Sequence, residues 1–118
     1  VIIGILATIA YPAYQSQVRE SRRTEGKSAL QEAMNRQERH YTTDNTYTAD
    51  MTELGYASDP FTTVDGWYQV DAAACGGGLD ECVALTATAQ NDQANDSCGN
   101  LTLNSRGQRG ASGGGDCW

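Results

Sequence analysis

Residues 1–42, "VIIGILATIAYPAYQSQVRESRRTEGKSALQEAMNRQERHYT", decide how the rest of the chain is read. The first eleven positions are apolar apart from Thr8, and Pro12 then interrupts the run. From Ala13 onward the texture is that of a long amphipathic helix. Tyr14 and Val18 are four apart, and Leu30, Ala33, Met34 and Tyr41 fall near one stripe at helical spacing. Charges between them have i,i+4 partners, Glu32 and Arg36 among them. Gly26 stands inside this pattern at a cost of about 1 kcal/mol against Ala. It is either a weak point or a place where a neighbour comes close. A helix continuous from Val1 to about His40 is roughly 60 Å long at ~1.5 Å per residue. A domain of 118 residues is narrower than that. The first, apolar part of the helix must therefore project, and something else must cover it.

After the helix the texture changes. "TTDNTYTADMTELGYASDPFTTVDG" (42–66) reads as a loop with a short helical turn near Met51–Leu54. Strand signals follow in "WYQVDA" (67–72), "CVALTATA" (82–89) and "LTLNS" (101–105). "CGGGLDE" (75–81) makes the first two a hairpin with a loose loop, and "NDQANDSCGN" (91–100) leads to the third. The tail "RGQRGASGGGDCW" (106–118) carries five glycines and has little order of its own unless Cys117 is cross-linked. This order predicts an α+β fold, a long N-terminal α-helix packed on a small three-stranded antiparallel β-sheet.

Charge divides the chain in the same way. Residues 1–43 hold six basic and four acidic side chains, a net of +2, while 44–118 hold two and eleven, a net of −9. An acidic body on a basic stem suits an exported protein that packs stem-first against others, and it lacks the basic field of a general nucleic-acid binder. The four cysteines all lie in the C-terminal half, an even count that points to disulfides in an oxidising compartment and leaves three pairings open. Neither close pair is C-x2-C and His40 is the one histidine, which disfavours zinc. No nucleophile–histidine–acid spacing is present, and "GASGGGD" lacks the lysine of a phosphate loop. Neither an enzyme nor a cofactor is expected, and His40 at the helix end reads as a surface or capping residue.

Three motifs in order carry a family resemblance. "VIIGILATIAYPAYQSQVRESRRTEGKSALQEA" resembles the N-terminal helix of type IV pilins. "ERHYTTDNTYTADMTELGY" is similar to the segment after that helix in PilE-like pilins of Gram-negative bacteria. "CGNLTLNSRGQRG" with the terminal "CW" resembles their last strand and C-terminal loop. The resemblance implies a pilin roll. Residues 1–14 form the hydrophobic filament-core or membrane helix segment, and 15–118 the globular headgroup with its αβ-loop 42–66. Family and sequence proximity together suggest Cys75–Cys82, closing the hairpin turn, and Cys98–Cys117, closing the C-terminal loop 98–117. A loop of the latter size is worth about 3 kcal/mol.

Val1, Ile2, Ile3, Gly4, Ile5, Leu6, Ile9, Pro12 and Tyr14 are the implied filament-core residues. Pilins of this group begin with a methylated Phe and carry a Glu four residues later, ahead of this apolar run. Roughly ten further residues would precede Val1, completing a helix of about twenty, enough to span a bilayer. Such a helix anchors the subunit in the inner membrane before assembly and lines the filament afterwards. Pro12 removes a helix hydrogen bond, so the stretch from Gly4 to Pro12 is expected to bend or melt on assembly. Arg19, Arg22, Arg23 and Lys27 are expected to meet acidic surfaces of neighbouring subunits. Arg106, Arg109 and Trp118 are candidate ligand or DNA contacts, although eleven carboxylates oppose two arginines there. Thr42, Thr43, Thr46, Thr48, Thr62 and Thr63 are candidate carriers of O-linked sugars. The expected function is a structural subunit of an extracellular type IV pilus, serving adhesion, motility or DNA uptake, with identical or related pilins as partners. The alternatives are a minor pilin that binds DNA and a pseudopilin of a type II secretion system. Pseudopilins often lack the cysteine loop, so Cys98 and Cys117 favour the pilin.

Overall fold

The structure, a computed structural model, describes residues 2–114, 117 and 118, with side chains from Tyr14 onward except Ser16. The expected core residues Val1, Ile2, Ile3, Gly4, Ile5, Leu6, Ile9 and Pro12 lie outside the residues whose side chains are described. One helix, α1 (Ile2–Asp44), runs for 43 residues and continues through Pro12. It sets the long axis of a molecule measuring 65 × 28 × 17 Å. α1 ends about a turn later than the sequence suggested, so the connecting loop starts at Asn45 and not at 42. The stop is local chemistry. Asn45 takes φ 59° and donates its N–H to the Tyr41 carbonyl at 2.8 Å, the left-handed termination that Asn tolerates.

Five strands follow: β1 (Phe61–Thr62), β2 (Tyr68–Ala74), β3 (Val83–Ala89), β4 (Leu101–Asn104) and β5 (Arg109–Ala111). They form one antiparallel sheet in sequential order. The three expected strands are β2, β3 and β4; the two edges were missed. β1 is two residues long and sits in what read as loop, yet Phe61 pairs with Val70 and is buried. β5 lies in the glycine-rich tail, which pairs because Gly110 faces Thr102, whose hydroxyl would come within 2.8 Å of any added Cβ. The hairpin loop between β2 and β3 is also tighter than expected. Four backbone hydrogen bonds and the Cys75–Cys82 bond close it. The short helical turn at Met51–Leu54 is present as a 3-10 turn, N-capped by Asp50.

Alternation fixes which face is buried. Tyr68, Val70 and Ala72 on β2, Leu85 and Ala87 on β3, and Leu101 and Leu103 on β4 all point inward. Onto them α1 lays Leu30 and Ala33, both fully buried, with Met34 and Tyr41 at the margin. Gly26 is the place of closest approach, not a weak point. A Cβ there would stand 3.0 Å from the Tyr68 ring. Gln37 falls on the same stripe and is fully buried, though polar. Its amide donates to the Thr48 carbonyl at 2.7 Å and accepts from the Thr48 N–H at 3.0 Å. That pair of bonds ties the segment after α1 back onto the helix and satisfies every atom that burial would otherwise strand.

Candidate functional site

Two surfaces carry the charged side chains that the sequence singled out. The first lies where the stem leaves the body. The link between β3 and β4 folds into a 3-10 turn, Asn91–Asn95, that reaches down to α1. Asp92 accepts from Arg22 at 2.9 Å and from Arg19 at 3.5 Å. Asp96, only 3% exposed at its side chain, lies 2.7 Å from Arg23 Nε and accepts from its Nη2 at 3.3 Å. Gln93, fully buried, donates its amide to the Arg19 carbonyl and to the Tyr68 hydroxyl, each at 2.9 Å. The Arg22 guanidinium stacks 3.7 Å above the Trp67 ring. Hydrogen bonds from Arg22 first, then Arg19, hold the Asp92 carboxyl below the usual carboxylate range.

Three of the four stem cations expected to face other subunits thus have partners in their own body. The sequence does not display these intra-chain pairs, because it reads as an acidic surface and a basic stem until one is folded onto the other. Asp92 and Asp96 lie 70 and 73 positions from their arginines. The one signal was the acid–amide–acid pattern of "NDQAND" beside a basic helix. Lys27 alone of the four has no ion-pair partner among the described residues.

The second surface is the β5 edge. Arg106, on the turn between β4 and β5, donates from Nη2 to the Gly76 carbonyl at 2.9 Å and so docks that turn on the Cys75–Cys82 loop. Arg109 opens β5, with its guanidinium 5.2 Å from the Trp118 ring centre. The Trp118 indole N–H donates to the Gly110 carbonyl at 2.9 Å, and Cys117 is bonded to Cys98. The disulfide therefore pins the tail so that Trp118 backs the edge strand. Structure brings Arg109 and Trp118 together and holds Arg106 close by on the same hairpin. Both arginines are exposed, but the loop holding Arg106 also carries Asp80 and Glu81.

His40 is no surface ornament. Only 12% of its side chain is exposed, Nδ1 bonds the Thr46 carbonyl at 2.8 Å, and Nε2 faces Asp44 at 3.0 Å and Glu53 at 3.4 Å. It joins the end of α1 to the Met51–Leu54 turn. Of the candidate sugar-bearing threonines, Thr48 and Thr63 are buried, and Thr42 and Thr43 bond their hydroxyls to helix carbonyls. Tyr14 is 65% exposed, consistent with a stem face that the body leaves uncovered.

A family model described as type IV minor pilin ComP, DNA uptake sequence receptor, matches residues 12–102. Among solved structures, the chain is similar to a type IV pilin from Shewanella oneidensis. The two share 25% identity at a TM-score of 0.62, over 85% of this chain and 97% of that one. No curated protein matches.

Proposed function

The chain belongs to the ComP family of type IV minor pilins, and from that premise we propose how its two parts divide the task. It is a structural subunit of a type IV pilus. The observation that carries this is α1, whose later half packs on the sheet while its first turns run on past the ion pairs of Arg19 and Arg22 with Asp92. The apolar run 1–11 supports a core position in the filament and an anchored state in the inner membrane before assembly. Among the described residues, no helix is long and apolar enough to cross a membrane. The test is electron microscopy of filaments sheared from the source cells, with mass spectrometry of their proteins. The chain is expected in the filaments; its consistent absence from them would overturn the assignment.

A second role, reception of DNA, is supported by the family's description and by the β5 edge. Arg106 and Arg109 are the only cations in residues 44–118, both exposed on one hairpin and backed by an aromatic ring. Guanidinium groups contact phosphate, and an indole offers a stacking face. DNA retention by the folded chain should fall with added salt and be lost in Arg106→Ala with Arg109→Ala. Binding unchanged in that double variant would move the DNA site elsewhere.

A further inference from the structure

Between the middle of α1 and the β1 edge lies a groove of about 360 Å³, at the small end of the range that holds organic ligands. Ala29 of α1 and Phe61 of β1 give it an apolar floor, and Val64 stands fully exposed at its lip. Tyr56 lies flat on Phe61, with 3.7 Å between ring centres, and closes one side. Glu25, Glu32 and Asp65 line the groove, and no basic side chain among the described residues does. Glu32 is answered by Arg36 at 2.9 Å. Arg22 lines the adjoining hollow with Glu25 and Asp65, but its guanidinium is committed to Asp92 at 2.9 Å and to the Trp67 ring. Glu25 and Asp65 thus have no counter-ion among the described residues. They are held together, since Glu25 Oε1 accepts the Asp65 N–H at 2.8 Å. Glu25 Oε2 and the Tyr56 hydroxyl are shielded from water and lack a hydrogen-bond partner. Such oxygens cost free energy until a donor reaches them.

We infer that this groove is a binding site for a small primary amine with a hydrocarbon body. Its ammonium sits between Glu25 and Asp65, and its chain lies over Ala29 and Phe61 toward Val64. Each part of the ligand answers a part of the site. An ammonium has three donors and no acceptor, which suits a pair of carboxylates that only accept. A neutral alcohol leaves both charges uncompensated, and an anion is repelled by them. Burial pushes the Tyr56 hydroxyl up, so it stays a neutral phenol whose oxygen can also accept from an ammonium. A metal ion suits the site less well, because among the described residues no three ligating side chains come together to hold one. A short diamine places its second charge on the apolar floor, at the cost of desolvating it. A hydrocarbon body instead covers Val64 and the floor and releases their water. Because β1 and β5 are opposite edges of the sheet, amine and DNA would bind independently. The site belongs to the body alone, whether or not the chain enters filaments.

The test is a titration of the full chain with n-hexylamine at neutral pH, where the amine is protonated, read by amide shifts in NMR. Saturable shifts are expected at Ala29, Phe61, Val64 and Asp65. Hexan-1-ol should bind about tenfold more weakly, putrescine should also bind more weakly than hexylamine, and added salt should weaken the amine. Glu25→Gln keeps an oxygen to accept the Asp65 N–H, and Asp65→Asn keeps that N–H, so both variants retain the loop. Each should weaken hexylamine about tenfold, and the two together should abolish its binding. Hexan-1-ol that bound as tightly as hexylamine would make the groove apolar and nothing more, and would overturn the inference. Hexylamine binding unchanged in both variants, or shifts confined to other residues, would overturn it as well. Shifts of the same amides that grow with protein concentration in the absence of amine would put a second copy in the groove and overturn it too.

Discussion

At Gly26, a hydrogen atom in place of a methyl decides how close the helix comes to the sheet. Tyr68 is fully buried and its hydroxyl is held by Gln93, so the ring cannot swing away from an added Cβ. Gly26→Ala gains about 1 kcal/mol of helix propensity, but overpacking a fixed ring costs about 1–3 kcal/mol. The variant is expected to be less stable by about 1 kcal/mol in urea unfolding; a more stable one would mean that the ring yields. Arg23 poses the opposite problem. Its removal leaves Asp96 charged and buried, so Arg23→Met should cost about 3 kcal/mol. Asp96→Asn added to it should recover part of that loss, because an amide is cheaper to bury than a carboxylate. Equal stability of the single and double variants would show that the ion pair is not the source of the loss.

Among the elements, those with a strong period were legible and those built by distant partners were not. α1 announced itself through apolar residues at helical spacing, and β2, β3 and β4 through alternation. β1 is too short to alternate, and β5 is built on glycine, which carries no strand preference; both exist because a neighbouring strand and the Cys98–Cys117 bond hold them. Cys98→Ser with Cys117→Ser should therefore cost about 3 kcal/mol and speed amide exchange in Arg109–Ala111 well before the rest of the sheet. Uniform exchange would make the bond a global staple instead. The Asn91–Asn95 turn was hidden for the same reason, its partners lying on the helix. Asp92 has a depressed pKa in the fold, so the stability it adds is present above the ordinary carboxylate range and is lost as pH falls through the depressed value. Asp92→Asn is expected to unfold more easily near neutrality and to match the native chain in strong acid. A difference that persisted in acid would exclude charge as its origin.

For the whole molecule, the basic stem and acidic body are two halves of one internal contact before they are surfaces for anything else. Arg19, Arg22 and Arg23 and their partners Asp92 and Asp96 form the lowest ion-paired level of the body among the described residues. Below it the chain is a helix with Tyr14 exposed and an apolar run beyond. If the body is complete above that level, the first turns of α1 add nothing to its stability and everything to its association. A chain beginning at Gln15 should then unfold within about 0.5 kcal/mol of the full chain, the usual range for changes outside packed regions. In sedimentation it should remain a monomer at concentrations where the full chain associates, because it lacks the apolar surface that drives packing. Early unfolding of the shortened chain would place part of the body's support in residues 2–14. Association that survived the shortening would shift the weight of assembly from the stem to the body.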